Sequence, residues 1–230
     1  GTFNAAFVPS YSSGLAKSKN KANEFANIVF NLLLFGLLLT TILIEIFMPV
    51  FIKLIAPGFT NDLEQTQLAI NLTRLTFPFL FFISLASFLS AILNSHNKFA
   101  AAAAAPIILN ILLILCLILV NHFEDNLVYY LSYTVSVAGL IQFIFLLIFV
   151  RKFYFPKIDL NFKIHENVKT FFKKLLPSIF ASGVTQINIL VGTIIASFQV
   201  SAVSYLYYAD RIYQINLAIA GIAIGTVILP

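Results

Sequence analysis

The chain has 230 residues, 60% of them hydrophobic and 10% charged, with 25 Phe, no Trp and a mean hydropathy of +0.95. Soluble domains run nearer half apolar and a quarter charged. The composition therefore excludes an ordinary soluble globule and predicts an all-α polytopic membrane protein, with several runs long enough to cross ~30 Å of hydrocarbon. The net charge of +5 is no argument for a nucleic-acid partner, because the basic residues gather in particular loops, as membrane topology demands.

In chain order, residues 3–16, "FNAAFVPSYSSGLA", read as the end of a helix, and "KSKNKANE" as a polar loop. A span of about 25–55 follows, broken near Pro49, then an acidic, turn-rich loop, "APGFTNDLEQ". The next helix covers about 66–94 with Pro78 inside it, and "NSHNKF" is a short polar turn. Further spans cover about 100–121 and 126–150. A long basic loop, 151–172, precedes spans at about 173–198 and 202–230. The chain opens at Gly1 without Met or signal peptide and stops at Pro230 inside an apolar run, so a piece of a longer protein is expected, truncated at both ends.

Loop charges predict the orientation. The loop with Lys17, Lys19 and Lys21 is basic, and the one with Asp62 and Glu64 is acidic. The turn with Lys98 is basic, and the loop with Glu124 and Asp125 is acidic. The 151–172 loop carries Arg151, Lys152, Lys157, Lys163 and Lys169, and the link near Gln199 is uncharged. Lys and Arg mark cytoplasmic loops, so the first, third and fifth connections face the cytoplasm and the others the far side.

Few side chains suggest chemistry. Cys116 lies in "NILLILCLILV" and reads as a buried, inert thiol; no Cys/His spacing suggests zinc. His96, His122 and His165 fall in predicted loops far apart, without ligand spacing. No phosphate-cradling Gly loop and no Ser/His/Asp arrangement argues for an enzyme. Pro49, Pro78, Pro106 and Pro177 each remove a backbone donor and bend a span. Broken helices line transporter cavities, but Pro is also common in membrane helices generally. The run Ala100–Ala105 offers a smooth packing face, and interhelical hydrogen bonding is the default use of Asn110 and Asn188.

The exception is "SYLYYADRIYQ", followed at once by "INLAIAGIAIGTVILP". If the last span starts near 202, Arg211 lies roughly 12–15 Å inside it, where a charge costs at least ~2.5–3.5 kcal/mol on insertion scales. Two readings stand. Arg211 lines an aqueous cavity and binds an anion, for which a guanidinium fork suits phosphate oxygens. Alternatively it snorkels past Tyr205, Tyr207 and Tyr208, or pairs with a carboxylate. Asp210 points to another face of the helix and is free to orient a neighbouring helix. Glu45 sits inside a span and, about seven residues from Lys53, reads as snorkelling. An internal echo, "AAFVP" at 5–9 and "GTVILP" at 225–230, hints at two repeated lobes.

"GTFNAAFVP", "APGF", "LTFPFLFFISLASFLSAILNSHNKF", "APIILN", "ASF" and "YYADRIYQ…GIAIGTVILP" stand in an order and spacing that resemble the MurJ (MviN) family of lipid II flippases. The resemblance covers essentially the whole chain. It implies a two-lobe helical bundle of the multidrug/oligosaccharidyl-lipid/polysaccharide (MOP) exporter superfamily, with fourteen transmembrane helices in the complete fold. This chain would hold 1–150 as part of the N-lobe (the end of helix two and helices three to six), 151–172 as a cytoplasmic inter-lobe loop, and 173–230 as helices seven and eight.

The resemblance further implies a multi-pass protein of the bacterial cytoplasmic (inner) membrane. It would flip lipid II, the undecaprenyl-pyrophosphate-linked peptidoglycan precursor, from inner to outer leaflet by alternating access, in cell wall biogenesis. Substrate and membrane lipids are then the partners, with no nucleic acid, no metal and no cofactor; coupling to an ion gradient or membrane potential is open. The family lines its cavity with arginines on helices one, two and eight, and "YYADRIY" places the last of these at Arg211. Asp210 matches an acidic neighbour, and Asn110 is a further substrate-binding candidate. The alternatives are another exporter of the superfamily, for a different lipid-linked oligosaccharide or a drug, and a non-functional fragment of a split gene.

Overall fold

The computed structural model describes residues 2–120, 126–159 and 166–228. His122, Glu124, Asp125, Lys163 and His165 lie outside them. Among the described residues the regular structure is helical, without strands: α1 (Thr2–Lys17), α2 (Lys19–Ile46), α3 (Met48–Ile55), a 3-10 turn (Pro57–Asn61), α4 (Leu63–Thr76), α5 (Pro78–Ser95), α6 (Phe99–Val120), α7 (Leu127–Val150), α8 (Glu166–Ala196) and α9 (Ala202–Ile228). Among the same residues five helical stretches are long and apolar enough to cross a membrane: Lys19–Ile46, Leu63–Ser95, Phe99–Val120, Leu127–Val150 and Val168–Ala196. Their exposed Leu, Ile and Phe side chains, Leu119 and Phe180 among them, suit contact with lipid rather than water.

Four expectations are corrected. The polar loop at 17–24 shrinks to Ser18, whose extended backbone (φ −169°, ψ 133°) separates α1 from α2. Ala22, Phe25, Ala26 and Val29 are buried on one face of α2, and that 3.6-residue stripe draws the polar turn into the helix. The helix expected over 66–94 is two helices parted at Phe77. Pro78 opens the second at the position where a missing N–H costs nothing. The loop expected over 151–172 ends earlier, because Val168, Phe171 and Leu175 are buried at helical spacing and carry α8 back to Glu166. Cys116, expected buried, is half-exposed on α6.

By its contacts the chain forms two compact units, Gly1–Met48 with Ala69–Gly183 and Pro49–Leu68 with Val184–Pro230. The first has an aromatic heart. The Phe7 ring stacks on Tyr11 at 5.5 Å and Phe25 at 5.6 Å, and meets Phe88 edge-on at 5.2 Å and Phe171 at 6.1 Å. These separations favour offset and edge-to-face pairs, each worth about 0.5–1.5 kcal/mol beyond burial. One ring thus ties α1 to α2, α5 and α8. Helices α5 and α7 approach closely at Gly139, where a Cβ would meet the Phe79 ring at 2.8 Å. The Ser136 hydroxyl donates to the Leu75 carbonyl beside it.

In the second unit Asp62 caps α4, its Oδ1 accepting from Glu64 N–H at 2.9 Å and Gln65 N–H at 3.1 Å, as an N-cap carboxylate does. The turn between α8 and α9 needs one left-handed residue, Ser201 (φ 60°). Leu206 of α9 packs over Gly192 of α8, where a Cβ would touch it at 3.6 Å.

Candidate functional site

Helix α9 is 27 residues long, and Arg211 stands nine residues past its first, about 13 Å along the axis. Tyr207, Arg211 and Gln214 are spaced i, i+4 and i+7, so they share one face. The guanidinium carbon lies 4.9 Å from the centre of the Tyr207 ring, a cation–π distance worth about 0.5–1 kcal/mol where exposed. Arg211 Nη1 donates to Gln214 Oε1 at 3.4 Å, and Gln214 Nε2 donates to Asp210 Oδ2 at 2.5 Å.

Asp210 does project from another face than Arg211, but it takes Gln214 of its own helix as partner. The glutamine amide joins acid and base, and among the described residues Arg211 has no direct ion pair. Arg211, Asp210 and Gln214 are all exposed. A guanidinium offers five N–H donors in a rigid fork; among the described residues one is engaged, and by a long bond. A guanidinium fork of this kind can take two oxygens of an anion at once.

Asn110 takes no part in this network. It is exposed on α6, as Asn188 is on α8. Among the described residues neither makes a side-chain hydrogen bond, so the expected interhelical bonding is not seen. Among the described residues the buried Oε1 of Glu45 has no hydrogen-bond partner. Among the described residues no group of three His, Cys, Asp or Glu side chains could hold a metal ion.

A second polar assembly stands at the basic end of the first unit. Asn27 Oδ1 accepts from Lys157 N–H at 2.7 Å and from the Tyr154 hydroxyl at 3.2 Å. Asn31, fully buried, donates to the carbonyls of Asn27 and Lys157, both at 2.8 Å, and accepts from Asp159 N–H at 3.1 Å. The Tyr11 hydroxyl donates to Asn23 Oδ1 at 3.2 Å and lies 3.4 Å from His96 Nε2. Burial raises the Tyr154 hydroxyl far above its usual range, and burial, then the Lys19 charge, lowers His96.

Asn20, Asn23 and Asn27 line a cleft of about 470 Å³ with Lys19, Arg151 and Lys152; Lys157 and Glu24 also face it. Sequence reading passed over this assembly. Its signal was there: Asn23, Asn27 and Asn31 recur at intervals of four in "NEFANIVFN", a polar stripe on an otherwise apolar helix.

Comparison with known proteins locates the chain. The family model described as "Lipid II flippase MurJ" matches residues 1–230. The "Probable lipid II flippase MurJ" of Rhizobium tropici is 42% identical over 236 residues, covering 100% of this chain and 44% of that protein. The protein of the same name from Rickettsia prowazekii (strain Madrid E) is 40% identical over 236 residues, covering 100% and 45%. A solved structure, "Lipid II flippase MurJ, inward closed conformation", superposes with a TM-score of 0.72 at 28% identity, covering 94% of this chain and 44% of that one. The chain thus spans about 45% of the length of the curated relatives it matches. The relatives are named as flippases, which are transporters, and their likeness together with the apolar helices marks a multi-pass inner-membrane protein.

Proposed function

We propose that this chain, which belongs to the lipid II flippase MurJ family, supplies part of a transporter that moves lipid II from the inner to the outer leaflet by alternating access. Arg211 meets the pyrophosphate of the substrate. The observation that carries the reading is the state of that guanidinium. It sits about 13 Å along α9, the helix expected as the last span, exposed, propped by Tyr207 and Gln214 and not paired directly with Asp210. A cation kept at that depth is costly unless it has an anion or water to meet, and a diphosphate presents paired oxygens to an arginine fork.

Asp210 holds Gln214 and so sets the fork's angle; Asn110 is a supporting polar contact along the substrate path. The protein performs no covalent chemistry on its substrate. Its energy comes from an ion gradient or the membrane potential. A drug exporter would want a cavity of the opposite sign, and the relatives named above favour lipid II over other lipid-linked oligosaccharides.

The test uses the full-length protein in vesicles loaded with lipid II, scoring how fast the headgroup becomes accessible from the far leaflet. Arg211→Ala is expected to abolish flipping while leaving the protein folded. Flipping at the unmodified rate would overturn the assignment.

A further inference from the structure

Helix α5 ends in a closed, defined way. Asn97 takes a left-handed conformation (φ 58°), its N–H bonding Asn94 O at 3.0 Å, and Lys98 N–H reaches back to Leu93 O at 2.9 Å. This pair of bonds is the Schellman termination, with Asn in place of the usual Gly. It fixes the direction in which Lys98 leaves the helix. Helix α7 ends just as firmly, with Phe153 and Tyr154 N–H groups both bonding Val150 O at 2.9 Å. The Phe153 ring stacks on His96 at 4.4 Å and 20°, which pins the Arg151–Phe153 turn beside the end of α5.

Between these ends is a hollow of about 410 Å³. Its walls are apolar: Leu93, Ala100, Ala101, Ile148 and Phe149. Helix α6 leaves this space because Ala100 and Ala101 stop at Cβ opposite the bulky side chains of α7. Three cations, Lys98, Arg151 and Lys152, line it from two separate segments of chain, and among the described residues no carboxylate does. Glu24 faces the neighbouring cleft, which shares Arg151 and Lys152.

We propose that this hollow binds an anionic phospholipid of the inner leaflet as a bound structural lipid, distinct from the transported substrate. Its phosphate sits among Lys98, Arg151 and Lys152, and the start of one acyl chain lies against Ala100, Ala101, Ile148 and Phe149. Three convergent cations repel one another until an anion joins them. An apolar wall of this size offers a free phosphate nothing, whereas a lipid fills both halves at once. The basic residues place the hollow at the cytoplasmic face, where basic pockets between membrane helices take anionic headgroups. A zwitterionic lipid would leave its ammonium group facing the same three cations.

The full-length protein, purified in mild detergent, is titrated separately with phosphatidylglycerol and phosphatidylcholine, and retained lipid is counted by native mass spectrometry. Phosphatidylglycerol is expected to bind at least about tenfold more tightly than phosphatidylcholine. The combined Lys98→Gln, Arg151→Gln, Lys152→Gln variant is expected to lose that preference. Ala101→Phe, which fills the hollow and keeps every charge, is expected to weaken retention several-fold. Arg211→Ala is expected to retain phosphatidylglycerol unchanged, so a failure of the flipping assignment leaves this result intact. Equal retention of the two lipids, or unaltered phosphatidylglycerol binding in the triple variant or in Ala101→Phe, overturns the proposal. So does displacement by equimolar inorganic phosphate or undecaprenyl pyrophosphate, which would assign the hollow to a free anion or to the carrier lipid.

Discussion

The Gly58 N–H donates to the Ser197 hydroxyl at 2.9 Å in a buried contact, joining residues 139 positions apart. Ser197 in turn donates to Ile194 O at 2.7 Å, so the hydroxyl is used on both sides. No side chain fits at Gly58: a Cβ there would collide with the Ser197 carbonyl and the Phe198 amide, which are backbone and cannot swing away.

Gly58→Ala is therefore expected to destabilise the second unit more than Ser197→Ala. The Ser197 variant loses both bonds of the hydroxyl and strands the buried Gly58 N–H, at about 1–3 kcal/mol; the Gly58 variant must push backbone apart. Thermal unfolding of the purified protein checks the order. A Gly58→Ala melting temperature equal to that of the parent would contradict the packing described.

Substitutions around Arg211 separate charge from shape. Arg211→Lys keeps the positive charge and loses the fork, so a partial loss of flipping is expected, between the parent and Arg211→Ala. Gln214→Leu breaks the relay to Asp210 while leaving both charges, and is expected to reduce flipping several-fold by letting the guanidinium turn toward the acid. The readout is the rate of lipid II exposure in vesicles. A Gln214→Leu protein as active as the parent would mean that the relay does not position the arginine.

His96 predicts a pH dependence of stability. Its folded pKa lies below the ordinary value, through burial first and the Lys19 charge second. The unfolded chain therefore takes up the proton before the folded one does. The stability contributed by neutral His96 is complete above the unfolded value near 6.5 and is lost as pH falls through the depressed folded value. The melting temperature is expected to drop on going from pH 7 toward pH 5, and His96→Gln to flatten that slope. An unchanged slope in the variant would move the effect to another group.

Five of the spans were legible because hydrocarbon length is a local property, written in consecutive residues. The 27-residue α9 follows from the same local rules. The tie between Asp210 and Gln214 was open to an i, i+4 argument. What stayed hidden depends on partners remote in sequence. Nothing near Asn31 announces Lys157, and nothing near Gly58 announces Ser197. Ser18 was hidden for another reason: polar residues look like a loop until the buried stripe of Ala22, Phe25 and Val29 is weighed against them.

Asn31 is the clearest case of a remote partner with a measurable consequence. The side chain is fully buried and uses both ends of its amide on the 157–159 segment: Nδ2 to the Lys157 carbonyl, Oδ1 from the Asp159 N–H. Asn31→Leu matches the volume but leaves a carbonyl and an N–H without their partners, and each stranded group costs about 1–3 kcal/mol if it stays buried. The segment is instead expected to lift away from α2. That relief would show as faster proteolysis after Lys157 and faster amide exchange at Asp159, with a fall in melting temperature of a few degrees. Asn31→Asp keeps the acceptor for Asp159 but sets a buried carboxylate oxygen against the carbonyls of Asn27 and Lys157, so it is expected to destabilise at least as much as Leu. If Asn31→Leu left exchange at Asp159 unchanged, the asparagine clamp would not be what holds the strap.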